Sequence, residues 1–440
     1  MPPVLPDSLV MLLSLLRRGF TAPTFDTFCW LVHGFIGRVG EHTITGVWQA
    51  ARLGGLFHHS RAHDFFARRR WSPDRLGLWL CDFVLTCFVG PDATIAVAID
   101  DTLFARTGRK VFAASWMFEQ DPPKGRATPK FGFGNSFVCL GILVRVPGAE
   151  RTICLPLLFR LWRVGGPTKV DLGHELIALF AARFPHRRIL LVADSYYATR
   201  KLATLPENVT ACVSVRTNSA FWAPPPPPSP SYRGRPRKRG VRLGSVRELV
   251  VDPDAAWQQL RLVRDGRELV SDVLAFDCVW FKVLSDQPVR LVIARDPDRH
   301  DRPILAVLCT DHSLTPYEIL DRYADRWAIE TAFAEAKGQL GVGEARNRVQ
   351  PAVERTVPFG FLCRAIVILW YTLHGDAKAD LDRRLKIAPW YRQKRTPAFG
   401  DMLHALRREL IRAEFRHELH NRPTRQKIEH LATTMPGLAA

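Results

Sequence analysis

Two stretches, Thr94-Ile95-Ala96-Val97-Ala98-Ile99-Asp100-Asp101 and Arg188-Ile189-Leu190-Leu191-Val192-Ala193-Asp194, decide how this chain is read. Each is a short apolar run, rich in strand-forming residues, that stops at aspartate. Between them the texture is β over roughly 136–145 and 151–161, then amphipathic helical over about 170–184. Strands, a helix and a further apolar strand predict an α/β sheet. Open α/β sheets carry their chemistry at the carboxyl ends of the strands, which is where Asp100, Asp101 and Asp194 are expected. A single strand-end aspartate is an ordinary turn former, so the surroundings must give these three their meaning.

Upstream, residues 1–90 show helical apolar spacing, as in Leu5, Leu9, Leu12, Leu13 and Leu16 and again over 71–88. A helical N-terminal domain is expected, whose Arg68, Arg69, Arg70 and Arg75 either touch DNA or form a solvated face. Residues 91–200 read as the first part of the α/β core. Residues 201–303 read as a β-rich insertion, patterned at 209–216, 268–282 and 289–295. Inside it the proline run 224–230, broken only by Ser229, leads into Arg233, Arg235, Arg237, Lys238, Arg239 and Arg242. Proline keeps this segment extended and bars it from a core strand. It is either a basic arm along a phosphate backbone or a solvated linker. The core resumes over 304–375, with a strand at 304–309 and an apolar helix at about 352–373. A basic helical region spans 376–440, where 397–420 offers an amphipathic face for pairing or for a second DNA end.

Thr315, Pro316 and Glu318 make a strong helix start: a capping threonine, a proline at the first helical position and the acid that completes a capping box. The spacing predicts one helix from there to about Leu340, ended near Gly341 and Gly343. On it Tyr323, Arg326, Glu330 and Lys337 fall within roughly 60° of one another. Ile329, Phe333 and Leu340 flank this stripe on one side and Leu320 and Trp327 on the other, while Asp321, Asp325, Glu335 and Gln339 lie opposite. A carboxylate and two cations on an apolar face need partners, a ligand or a site to line, unless their long side chains reach past the apolar neighbours to water.

At 440 residues and 47% hydrophobic, the chain has enough apolar material for two or three domains. Its 62 Lys and Arg against 43 Asp and Glu leave a formal charge of +19, which favours a polyanionic partner, nucleic acid before a membrane surface. In such a protein two strand-end aspartates and a helical glutamate can bind two divalent ions, and carboxylate ligation suits Mg²⁺ or Mn²⁺. Neither His nor Cys recurs beside these positions, which leaves zinc chemistry without support. The nine cysteines are scattered without Cys-x-x-Cys spacing and read as small buried hydrophobes in a reducing cytoplasm. Leu9–Leu16 lacks the flanks of a secretion signal, and 359–373 is too short to span a bilayer and contains Arg364, so a soluble cytoplasmic protein is expected.

With Tyr323, Arg326, Glu330 and Lys337 in intact Tyr-x2-Arg-x3-Glu-x6-Lys spacing, the chain resembles the DDE transposases of bacterial insertion sequences. Ile99-Asp100-Asp101-Thr102 looks like that family's first-aspartate block, and Val192-Ala193-Asp194-Ser195-Tyr196-Tyr197 like its second. The likeness covers about 96–361. It implies an RNase H-like catalytic core interrupted by a β insertion before the glutamate, and cut-and-paste movement in which freed 3′-hydroxyls attack target DNA. It further implies Asp100, Asp194 and Glu330 as ligands of two Mg²⁺ or Mn²⁺ ions, with Tyr323, Arg326 and Lys337 on phosphates near the cleaved end. The implied partners are double-stranded DNA, as terminal inverted repeats and as target, and a second protomer in a nucleoid-associated synaptic complex. Trp327, next to the signature arginine, either stacks on a displaced base or belongs to the core. Alternate strand residues face opposite ways, so one of Asp100 and Asp101 is expected to reach metal, and the spacing to Thr102 favours Asp100.

Two other readings stay open. One is an RNase H-like nuclease without strand transfer, which the absence of inverted repeats around the gene would favour. The other is a domesticated DNA-binding protein that has lost catalysis, against which the three acidic positions argue.

Overall fold

Helices α1 (Asp7–Ser14), α2 (Ala22–Gly37), α3 (Ile44–Ala50), α4 (Ser60–Ala67) and α5 (Pro73–Phe88) precede the first strand in the computed structural model, which describes residues 2–118, 131–227, 237–264, 267–298 and 304–421. Local chemistry sets their starts. The Thr43 hydroxyl caps α3 by accepting from the Gly46 amide, and Ser72 caps α5, whose first residue is Pro73. Their apolar faces meet in an aromatic cluster in which Phe28, Phe65 and Phe66 surround Phe359, with ring centroids 5.2–6.1 Å from it. Arg69, Arg70 and Arg75 are exposed, and Arg68 pairs with Asp64.

The strands β1 (Ile95–Ala105), β2 (Ser115–Phe118), β3 (Phe131–Val144), β4 (Ile153–Leu161), β5 (Ile189–Ala193), β6 (Val209–Ser214), β7 (Ala220–Trp222), β8 (Arg242–Ser245), β9 (Gln258–Arg264), β10 (Arg267–Val279), β11 (Pro288–Arg295) and β12 (Leu305–Cys309) join in one mixed sheet. Its order is β2-β3-β1-β5-β6-β12-β11-β10-β7-β8, with β4 also on β3 and β9 also on β10. β1, β5 and β6 run parallel, and the other pairings are antiparallel. Residues 209–214, in the segment read as an insertion, form β6 between β5 and β12. The short helices α7 (Val246–Val251) and α8 (Phe281–Leu284) punctuate this outer half of the sheet, while α6 (Lys169–Arg183) crosses from β4 to β5 behind a Thr168–Asp171 capping box.

Three sequence expectations need correction. The first strand does not stop at Asp100. It continues to Ala105 because β3 pairs with it throughout, and only its parallel partner β5 stops, at the Ile99–Ala193 register. The helix predicted from Thr315 to Leu340 is two helices, α9 (Pro316–Ala324) and α10 (Trp327–Leu340). Asp325, assigned to the outer face, is buried, and it shares the Arg264 guanidinium with Asp321 at 2.7 and 3.2 Å. This anchor accompanies a tightened turn in which Ala328 and Ile329 donate to the carbonyls of Asp325 and Arg326, three residues back. The predicted stop holds: Gly341 takes the left-handed conformation (φ +56°) that closes α10.

The third correction lies among α11 (Gln350–His374), α12 (Ala377–Ile387) and α13 (Phe399–Asn421). α11 agrees with the apolar helix expected at about 352–373; at 25 residues it is long enough by composition to cross a membrane, unlike its 359–373 run alone, yet most of it is buried inside the protein. The apolar face of α13 is spent within the chain. Met402, Leu403, Leu406 and Leu410 are buried in the core, and Arg407 donates to the carbonyls of Ile36 and Arg38 at the end of α2. That face is therefore not free for pairing with a second protomer.

Candidate active site

Asp100 and Asp194 come together because of strand register. Ile99 lies level with Ala193 on the adjacent parallel strands, so the next residue on each is an aspartate at the same edge of the sheet. Asp194 turns its carboxylate back to accept from the Tyr196 amide at 3.0 Å, and Asp100 accepts from the Asp101 amide at 2.8 Å. Both are held above the ordinary carboxylate range, chiefly by burial. Asp100 is pushed up to about 7 by burial together with the charges of Asp194 and Asp101, against the backbone hydrogen bond and Arg326. Asp194 is raised by burial and Asp101, against its backbone hydrogen bonds and Arg326.

The neighbouring aspartates part as strand alternation requires. Asp100 faces α10. Asp101 faces α6, where its Oδ2 accepts from Lys169 Nζ at 2.5 Å and from the Ser136 hydroxyl at 3.2 Å. Lys169 was invisible to sequence reasoning, since no local signal ties it to a strand 68 residues away.

Arg326, in the turn between α9 and α10, joins the strand edge to the helix. Its Nη1 stands 3.4 Å from Asp100 Oδ2 and its Nη2 is 2.7 Å from Glu330 Oε1. Burial works against its charge, yet Tyr323, Glu330 and Asp100 together hold its pKa above the ordinary value. Tyr323 is half-buried, its hydroxyl engaged with Ser214 and Arg326 and its pKa raised by burial. Further along α10, Lys337 Nζ donates to Thr102 Oγ1 at 2.6 Å and lies over the Phe104 ring. Thr102 could have been found in the sequence, because it alternates with Asp100 on one face of β1.

Of the other expected residues, Trp327 borders the cluster, its ring centroid 6.0 Å from the Arg326 guanidinium, and the rest sit apart from it. Trp327 is 64% exposed rather than in the core, because the turn at Asp325 and Arg326 sets α10 on a new phase relative to α9. Glu335 points away and pairs with buried Arg364. In the basic arm Arg233 and Arg235 lie outside the described residues. Arg237 is exposed, Lys238 is 3.8 Å from Asp286, and Arg239 stacks between Trp222 and Phe281 at 4.8 and 4.5 Å.

Among the described residues no three His, Cys, Asp or Glu side chains converge closely enough to hold a metal ion as they stand, Glu330 being drawn to Arg326. The donor chemistry nevertheless fits a hard divalent cation. Asp100, Asp194 and Glu330 offer only carboxylate oxygens. The two aspartates are pushed upward by burial and like charge, a condition that a cation between them would relieve.

The bridge made by Arg326 has a testable consequence. Arg326→Lys is expected to lower DNA cleavage roughly ten-fold or more, because a single ammonium cannot span Asp100 and Glu330 as a planar guanidinium does. Cleavage assays at saturating Mg²⁺ check this, and parental rates in the lysine variant would reduce Arg326 to a generic positive charge.

Residues 16–268, more than half of the chain, match the family described as DDE superfamily endonuclease. The match takes in both aspartate strands, β1 and β5, and ends before α10. No curated protein matches the chain in sequence. Endonucleases of this superfamily use divalent metal ions, in keeping with an all-carboxylate donor set. Two half-buried aspartates level on adjacent parallel strands, in a mixed sheet flanked by helices and within the matched region, agree with that match: the chain belongs to the DDE superfamily of endonucleases.

Proposed function

We propose that this DDE endonuclease is the transposase of an insertion sequence, of the branch with the Tyr-x2-Arg-x3-Glu-x6-Lys signature, acting on double-stranded DNA as a homodimer. In this reading the RNase H-like core comprises β4, β3, β1, β5, β6 and β12 with α6, α10 and α11, and the strands from β7 to β11 belong to an insertion. Asp100, Asp194 and Glu330 hold Mg²⁺ or Mn²⁺. The observation that carries the reading is the junction at Arg326: one guanidinium reaches both Asp100, level with Asp194, and Glu330, on a separate helix.

When bound, the two ions supply an activated water or 3′-hydroxyl and stabilise the leaving oxygen. The protein's own residues supply the positioning. Arg326 keeps Glu330 turned toward the strand edge and presents positive charge where a phosphodiester must lie. Lys337, held by Thr102, offers a second cation on the same face. Tyr323, through its hydroxyl contact with Arg326, fixes the arginine's direction.

The test is incubation of the protein with DNA carrying the ends that flank its gene, with and without Mg²⁺. Metal-dependent nicks at the ends, followed by joining of 3′-hydroxyls to target DNA, are the expected result. Nicking without joining would leave a nuclease that lacks strand transfer. Binding without either would leave a DNA-binding protein.

A further inference from the structure

We propose that the two-stranded ribbon of β2 and the start of β3 is a second nucleic-acid contact, which stacks its aromatic face on unpaired bases and shares the sheet face of the candidate active site. This rests on the reading of the chain as a DNA-cutting enzyme. On the ribbon Trp116 lies directly opposite Phe133, and Phe118 opposite Phe131. Their rings meet across the strands with centroids 5.5 and 5.8 Å apart. Side chains at i and i+2 share a face, so the four rings form one ladder. Trp116 is 70% exposed, Phe118 59% and Phe131 51%. Solvating so much contiguous aromatic surface is unfavourable, and such a surface usually has a partner.

Register decides where the ladder points. Asp100 pairs with Cys139, Thr102 with Phe137 and Phe104 with Asn135. Counting on by twos along β3 reaches Phe133 and Phe131, so the ladder continues the face of the sheet that carries Asp100 and the contacts of Lys337 with Thr102 and Phe104. From the level of Asp100 it lies roughly 20–27 Å further along β3, at about 3.4 Å per residue. That is within one turn of a duplex whose phosphate sits at Asp100. Arg109 and Lys110, exposed just before β2, make no ion pair among the described residues. An exposed aromatic face, with two cations close before it in sequence, suits a strand with its bases turned inward and its phosphates outward, and stacking tolerates any base sequence.

The full-length protein, its Trp116→Ala variant and its Trp116→Phe variant would be titrated by fluorescence anisotropy against three labelled DNAs: single-stranded, fully paired, and paired with a short unpaired flank. Trp116 is solvated, so truncating it leaves the core intact. Trp116→Ala is expected to weaken binding to the single-stranded and flanked DNAs by about ten-fold, to leave the paired DNA within about two-fold, and to be largely rescued by phenylalanine. Equal losses on all three DNAs, or no loss, would overturn the stacking role while leaving the endonuclease reading intact. Failure of the parent protein to bind any of the DNAs would remove the endonuclease reading itself. Light scattering on the same samples covers the remaining occupant: conversion of a dimer to a monomer by Trp116→Ala, with DNA affinity unchanged, would make the ribbon a self-association surface and overturn the proposal.

Discussion

If Asp100, Asp194 and Glu330 hold the metal as proposed, replacing any one with alanine is expected to reduce DNA cleavage by about three orders of magnitude or more while DNA affinity changes only a few-fold, since metal coordination worth several kcal/mol would be lost and not a phosphate contact. Gel-based cleavage and anisotropy on the same preparations measure both quantities. A Glu330→Ala protein that cuts at the parental rate would remove Glu330 from the site. Glu335 would be a poor substitute, because it is committed to Arg364 on another face of α10. Asp100 also gives a readout that needs no activity. Its pKa rises from 3.8 in the unfolded chain to about 7 in the folded protein. The folded state thus keeps a proton that the unfolded chain releases, so the associated stability is fully present below pH 4 and lost as pH rises through 7. In metal-free buffer Asp100→Asn should match the parent near pH 4 and exceed it above pH 7. The gain should be on the order of a few kcal/mol. Parallel stability curves for the two proteins would show that Asp100 ionises without cost.

Arg364→Ala is expected to destabilise the protein by about 3 kcal/mol. Arg364 is buried beneath α10, where Nη2 and Nε hold Glu335 Oε2 at 2.5 and 3.1 Å and Nη1 donates to the Cys154 carbonyl at 2.8 Å. Truncation leaves a partly exposed carboxylate and a buried carbonyl without their donor. Removing both charges as Arg364→Met with Glu335→Leu should recover most of the loss, since breaking a pair costs more than deleting it. Urea midpoints for the parent, the single and the double variant decide the matter. A loss of about 1 kcal/mol or less in Arg364→Ala would mean that water replaces the guanidinium. The pair joins α11 to the helix that carries Glu330, so the single variant should also cut DNA more slowly.

Local sequence determined the features that depend on near neighbours. The apolar runs ending in Asp100 and Asp194 announced β1 and β5, the capping box announced α9, and Gly341 announced the end of α10. The i, i+4 spacing of Arg326 and Glu330 brought those two side chains together. Strand alternation alone separated Asp100 from Asp101. These follow from backbone geometry, whose periods are short and are written into consecutive residues.

Tertiary structure decided what depends on partners far along the chain. The level pairing of Ile99 with Ala193 comes from parallel register, and nothing in either strand encodes it alone. The break at Asp325 was illegible because its anchor, Arg264, lies 61 residues away on β9, and the same break moved Trp327 out of the core. The continuation of β1 through Asp101 to Ala105 depends on β3, which supplies hydrogen-bond partners after β5 has ended. The amphipathic face of α13 could be seen in the sequence, but its burial against α2 and α11 could not. An apolar stripe records that a surface must be covered and carries no record of which surface covers it, because burial is non-directional and proportional to area.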